Sequence, residues 1–149
     1  MRQVIVTQEE MRIGVPAMRA YEHLVHLSEH PRFMSGVLAV SQAGDEAAHL
    51  ALDIGGRRVE IDAVLGDTEP GRYVRWDSAQ LVEAYWLEPL GDDATNVVAV
   101  AQLDERLVHP HGAQPDAELH ARLRMDLKGF KRYCEEAEAT AEEAESAPQ

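Results

Sequence analysis

A chain of 149 residues has room for one domain with a real buried core and not for a second of ordinary size. Its 27 acidic residues against 14 basic ones give a formal charge of −13, which argues against a nucleic-acid or anionic-membrane surface, because those partners need a concentrated positive patch. No apolar run approaches the roughly 20 residues of a membrane span, the opening MRQVIVTQEE lacks a signal-peptide core, and the single cysteine, Cys134, has no partner for a disulfide or a thiol-based metal motif. The expectation is a cytoplasmic protein with no integral membrane segment and no nucleic-acid partner.

In chain order, residues 3 to 7 read as a short strand. A helix follows, opened by Pro16 at a first-turn position, where the missing N–H costs nothing, and expected to stop before Pro31. Projected at about 100° per residue, Ala17, Ala20, Tyr21, Leu24 and Leu27 gather on one side, with His23, His26 and His30 roughly opposite. Three histidines so spaced are either a metal site or a solvated face. No acidic or thiol ligand is placed beside them by the pattern, so the solvated face is the better reading and no metal is expected. His49, on the polar face of a strand, and His109 and His111, in a loop, are read the same way.

From about residue 37 to 105 apolar and polar residues alternate with period two, the mark of half-buried antiparallel strands. Turn signals at Ala43-Gly44-Asp45, Gly55-Gly56, Glu69-Pro70-Gly71 and Gly91-Asp92-Asp93 divide the run into a meander of about six strands. A loop from His109 to Pro115 leads into a long helix from about Asp116 to Ala139, with Leu119, Leu123, Leu127, Phe130 and Cys134 on one stripe. Residues 1–138 read as a single domain, and residues 139–149 as a disordered acidic tail.

Strand, helix, short helical turn, six antiparallel strands and long C-terminal helix make the α+β helix-grip plan: a seven-stranded curved antiparallel sheet wrapped around the C-terminal helix, with two short helices after the first strand. The stretches VPAMRAYEHL, HPRFMSGV, EPGRYVRWDS, LEPLGDDATNV and DLKGFKRYCE resemble, in order and spacing, the polyketide cyclase/dehydrase and lipid-transport family of the START-like (SRPBCC) superfamily, over nearly all of residues 4 to 136. The resemblance implies an apolar cavity between the concave sheet and the long helix, holding a lipophilic molecule of polyketide, lipid or isoprenoid type. It implies no cofactor: members of the cyclase kind work by shaping the substrate and supplying acid–base groups. Fold does not settle function, so a cyclase/aromatase and a non-catalytic carrier or sensor both remain open.

Alternation sets the inward rows: Leu50, Leu52 and Ile54; Val59, Ile61, Ala63 and Leu65; Val74, Trp76 and Ser78; Glu83, Tyr85 and Leu87; Thr95, Val97, Ala99, Ala101 and Leu103. The small residues Ala63, Ala99 and Ala101 leave space for a cavity, which Trp76, Tyr85 and Phe130 would either line or fill. The expected ligand contacts are Tyr21, Trp76, Ser78, Thr95, Ala99, Leu119, Leu123, Leu127 and Phe130. Glu83 stands where similar proteins carry a small residue. A desolvated carboxylate there, beside Tyr85, is the candidate general acid or base; the rival reading puts Glu83 in water at the 78–82 hairpin. On the other face Trp86, Val98 and Val100 are apolar where solvent is expected, which marks a partner surface or a homodimer contact.

Overall fold

The structure, a computed structural model, describes residues 4–34, 37–42, 44, 46–54, 56–104 and 115–146. The elements are β1 (Val4–Ile13), α1 (Ala17–Leu24), a 3₁₀ helix (Leu27–Arg32), β2 (Val37–Gln42), β3 (Ala47–Ile54), β4 (Arg57–Glu69), β5 (Tyr73–Asp77), β6 (Leu81–Pro89), β7 (Thr95–Asp104) and α2 (Pro115–Ser146). The strands form one antiparallel sheet in the order β1-β7-β6-β5-β4-β3-β2. This is the expected helix-grip plan, with one α-helix and a 3₁₀ helix in place of two short helices.

The meander turns where the glycines said it would. Gly71 and Gly91 take φ of 74° and 79°, which only glycine adopts without strain. Ala43, Asp45, Gly55, His109 and His111 lie outside the described residues. Between Leu65 and Thr68 the β4–β5 ladder slips, because three steps on β4 match two on β5. Such a bulge bends its strand and sharpens the local twist, so the sheet curls at β4 towards the helix it must cover.

The inward rows close over the core as the alternation required. Val74, Val97, Ala99 and Leu103 are fully buried, and the α2 stripe of Leu119, Leu123, Leu127, Phe130 and Cys134 is at most 3% exposed. Burial lifts the Cys134 thiol to about 12, so it behaves as a small apolar side chain.

Three boundaries differ from expectation. β1 runs on to Ile13, because inward Glu9, Met11 and Ile13 extend its alternation beside β7. α2 runs past Ala139 to Ser146, since the alanine- and glutamate-rich segment favours helix. α1 ends at Leu24, and Pro16 is its N-cap rather than its first residue; Pro31 then lies inside the 3₁₀ helix.

The early end of α1 overturns the reading of His30. A projection at 100° per residue holds only within one helix, and the chain is reset at Val25 and His26. His30 is 2% exposed, and its Nε2–H donates to the Leu24 carbonyl at 3.1 Å. Its neighbours follow the expectation in different degree: His26 is exposed, whereas His23 is half-buried, 3.1 Å from Glu29 and edge-on to Tyr133. Burial lowers the His30 pKa to about 4, partly opposed by the Leu24 bond and helped by nearby His26.

Two predictions follow from this packing. The folded chain refuses a proton that the unfolded chain takes up near 6.5, so His30 contributes stability that is whole above pH 6.5 and lost as pH falls towards 4, by about 3 kcal/mol. Denaturation of wild type and His30→Gln across this window should show the gap between them narrowing as pH falls; a constant gap would mean that His30 is not held neutral. At the other contact, a Cβ on Gly129 would fall on the backbone carbonyl of Phe33. Gly129→Ala should therefore destabilise the protein, by about 1–3 kcal/mol in urea titration, despite the better helix propensity of alanine.

Candidate functional site

β5, β6 and β7 pair without a register shift, and their ladders bring Trp76, Glu83 and Ala101 to one level, with Thr7 of β1 beside them. One step along lie Val74, Tyr85, Ala99 and Glu9. Glu83 and Tyr85 are two residues apart and so share the inner face. The Glu83 side chain is 14% exposed, which removes the reading that placed it in water at the hairpin. The Tyr85 hydroxyl donates to Glu83 Oε2 at 3.1 Å.

α2 adds two charged residues to this corner that sequence reasoning missed. The Arg122 side chain is 11% exposed, with Nη2 3.8 Å from Glu83 Oε1 and Nε 3.6 Å from Asp126 Oδ2. Asp126 sits one helical turn on, with its side chain 3% exposed. Both distances suit ion pairs and are too long for hydrogen bonds. The Nε and Nη1 of Arg122 are buried with no hydrogen-bond partner among the described residues. A signal for this pair was present: Arg122 and Asp126 immediately precede Leu123 and Leu127, and so stand at the margin of the apolar stripe rather than on the solvent side.

Tyr85 is held well above its ordinary pKa, first by burial and then by the negative charge of Glu83. It therefore stays protonated at neutral pH and acts as a donor. The corner thus offers a carboxylate with a tyrosine on one oxygen, and a guanidinium with N–H groups to spare beside a second buried carboxylate, Asp126. At its rim His120 Nε2 lies 3.0 Å from Glu9 Oε2.

Of the other expected contacts, Trp76 stands at this level with its polar group engaged, and others lie further off. The Trp76 indole N–H is committed to the Leu24 carbonyl at 3.0 Å. The Ser78 hydroxyl closes the β5–β6 turn, donating to the Leu81 carbonyl at 2.7 Å and accepting from the Leu81 N–H at 2.9 Å. Thr95 begins β7, about 20 Å along the strand from Ala101, and its hydroxyl ties the Val15 carbonyl at 2.8 Å. Tyr21 is half-buried on α1. Ala99 and the stripe from Leu119 to Phe130 are buried in the core between sheet and helix, with Phe130 tilted against Phe33 at 5.1 Å between ring centroids. Among the described residues no three His, Cys, Asp or Glu side chains gather to hold a metal ion, and no helix is long and apolar enough to cross a membrane.

No protein-family profile matches the chain. An uncharacterized 17.2 kDa protein of Streptomyces lincolnensis is 26% identical over 133 residues, which cover 87% of this chain and 89% of that one. Among solved structures, a START superfamily protein from Mycobacterium smegmatis superposes with a TM-score of 0.76 at 12% identity, covering 89% of this chain and 98% of its own. The chain has the START-like fold. The Zhui aromatase/cyclase from Streptomyces sp. R1128 shares it, with a TM-score of 0.71 at 13% identity over 89% of this chain and 94% of that one. At such identities the START-like likeness is one of architecture, and the residues of the corner must carry any functional argument themselves.

The corner makes its own prediction. Arg122→Met removes a buried guanidinium that stands within ion-pair distance of Glu83 and Asp126, so the protein should lose about 3–5 kcal/mol of stability in urea titration. Adding Glu83→Gln in the same chain should recover part of that loss. Equal stability of Arg122→Met and wild type would show that the guanidinium does not compensate these groups.

Proposed function

We propose that this chain holds a largely apolar small molecule, of polyketide, lipid or isoprenoid type, between the inner face of the sheet and α2, with its polar end at Glu83, Tyr85 and Arg122. The observation that carries this reading is the buried Arg122 side chain, whose Nε and Nη1 lack hydrogen-bond partners among the described residues although Glu83 and Asp126 lie within ion-pair distance. An unmet buried donor costs about 1–3 kcal/mol, more when charged, and a carbonyl or hydroxyl oxygen of a ligand would satisfy it.

The same corner supports a reaction. Glu83 would take a proton from carbon beside a ligand carbonyl, while Arg122 and protonated Tyr85 stabilise the charge that develops on the oxygen. Once the ligand is folded back on itself, the enolate carbon would attack a second carbonyl of the same molecule, breaking its C=O π bond, and the alkoxide so formed would take back the proton held by Glu83. The specific observation on the side of a carrier without chemistry is that Glu83 already holds the Tyr85 hydroxyl and lies within ion-pair distance of Arg122, which is also how a purely structural carboxylate would be placed.

Binding is tested with an apolar reporter dye. Ala99→Trp fills the inner layer beside Tyr85 and should weaken dye binding while the protein stays folded; unchanged affinity in a folded variant would place the ligand elsewhere. Mass spectrometry of what co-purifies with the native protein would name the ligand class. With that ligand in hand, Glu83→Gln separates the two readings: in an enzyme binding persists and the rate falls by about 10²–10⁴, whereas a carrier binds as before and shows no turnover in either form.

A further inference from the structure

The polar corner holds more carboxylates than cations. Arg122 and Asp126 are one turn apart on α2 and so share a face, with Arg122 Nε 3.6 Å from Asp126 Oδ2, and Arg122 Nη2 reaches to 3.8 Å from Glu83 Oε1 on β6. Two formal negative charges thus stand against one guanidinium, with side-chain exposures of 3% for Asp126, 14% for Glu83 and 11% for Arg122. A third carboxylate, Glu9, is level with Tyr85 through Ala99 and meets His120 at the rim at 3.0 Å. The Tyr85 hydroxyl feels this balance: after burial itself, the charges of Glu83 and Asp126 hold its proton on, and Arg122 opposes them with a smaller effect.

Two requirements fall on any molecule that reaches this corner. Arg122 Nε and Nη1 are buried without hydrogen-bond partners among the described residues, and a guanidinium can only donate, so the group that meets it must bring a lone pair. An ammonium head brings none. A carboxylate or phosphate brings lone pairs together with a negative charge, which would stand beside Glu83 and Asp126 where water screens little. The guanidinium that would have to compensate it is already shared between those two. A ketone, ester or hydroxyl oxygen meets the donor and adds no charge. Specificity often comes from such a repulsive element against the wrong ligand as well as from attraction to the right one.

We infer that Asp126 and Glu83 together set the charge selectivity of the corner: it admits a ligand whose polar end is an uncharged oxygen acceptor and turns away acids, free fatty acids and phosphate-headed lipids included. This depends on the reading that the ligand's polar end lies at Arg122, and it narrows the polyketide, lipid and isoprenoid classes to their neutral members.

The test is displacement of the apolar reporter dye at about pH 8, where a carboxylic acid is ionised, by three ligands of one chain length: dodecan-2-one, methyl dodecanoate and dodecanoic acid. From the wild-type chain the ketone and ester should displace the dye, and the acid should need a concentration about tenfold higher or more. Any apolar site disfavours a carboxylate, so the variants decide the cause. Asp126→Asn removes one negative charge with little change of shape and should narrow the ratio of acid to ketone by about tenfold. Glu83→Gln removes the other and should narrow it likewise, so the test stands if one of the two does not fold. An acid that displaces the dye from wild type as well as the ketone does, or a ratio that neither variant narrows, would overturn the inference and leave the ligand reading in place. If none of the three displaces the dye, the ligand reading falls and the charge selectivity with it.

Discussion

The Leu24 carbonyl oxygen accepts two hydrogen bonds, from the Trp76 indole at 3.0 Å and the His30 imidazole at 3.1 Å, and the placement of the rest follows from that oxygen. It lies at the C-terminal end of α1, where carbonyls have no partner within the helix. One donor comes from β5 and the other from the 3₁₀ helix, so α1, the sheet and the connection to β2 are fixed to one another at a single atom. The 3₁₀ helix delivers Phe33, whose ring meets Phe130 and Tyr133 at 5.1 and 5.0 Å and whose carbonyl occupies the space that a side chain on Gly129 would need. That contact seats α2. Two turns back along the helix, the same seat brings Arg122 to Glu83.

The polar corner is thus supported from a distance by apolar packing, which suits charged groups in a poorly solvated place. A buried ion pair gains less from attraction than it loses in hydration unless its geometry is held. Here the geometry is held and incomplete: Arg122 stands 3.6 and 3.8 Å from its two carboxylates, close enough to moderate their charge and too far to bind them fully. A guanidinium bound bidentately by both Glu83 and Asp126 would commit four of its five N–H donors, whereas this one keeps two nitrogens unmet.

Much of this was legible in the sequence, and the exceptions have physical causes. Period-two alternation gave the inward rows from Val59 to Leu103, because a strand's side chains can point only two ways. That is also why Trp86 and Glu83 were assigned to opposite faces. Alternation carries no information on distance along a strand, so Ser78 and Thr95 were grouped with Glu83 although one closes a turn and the other sits at the far end of β7. His30 was misplaced because one helical phase was carried across a break. Arg122 and Asp126 were passed over because charged residues beside a leucine stripe ordinarily reach solvent, although their place at its margin was a signal that these do not. Residues 139–149 read as a tail because they lack an apolar stripe, yet α2 follows helix propensity as far as Ser146.

β6 shows how one short strand serves two purposes. Glu83 and Tyr85 enter the corner, while Trp86, on the opposite face, is 44% exposed. This separation depends on strict alternation, since a slip of one residue would exchange the two sets. The β5–β6 and β6–β7 ladders run without a shift, and the irregularities fall in β4 and β2, where the sheet must curl. Curvature is thus confined to strands that carry neither feature. The regular part of the sheet can keep a largely buried carboxylate inside and an exposed tryptophan outside, and a change of side chain on one face leaves the backbone that positions the other where it was.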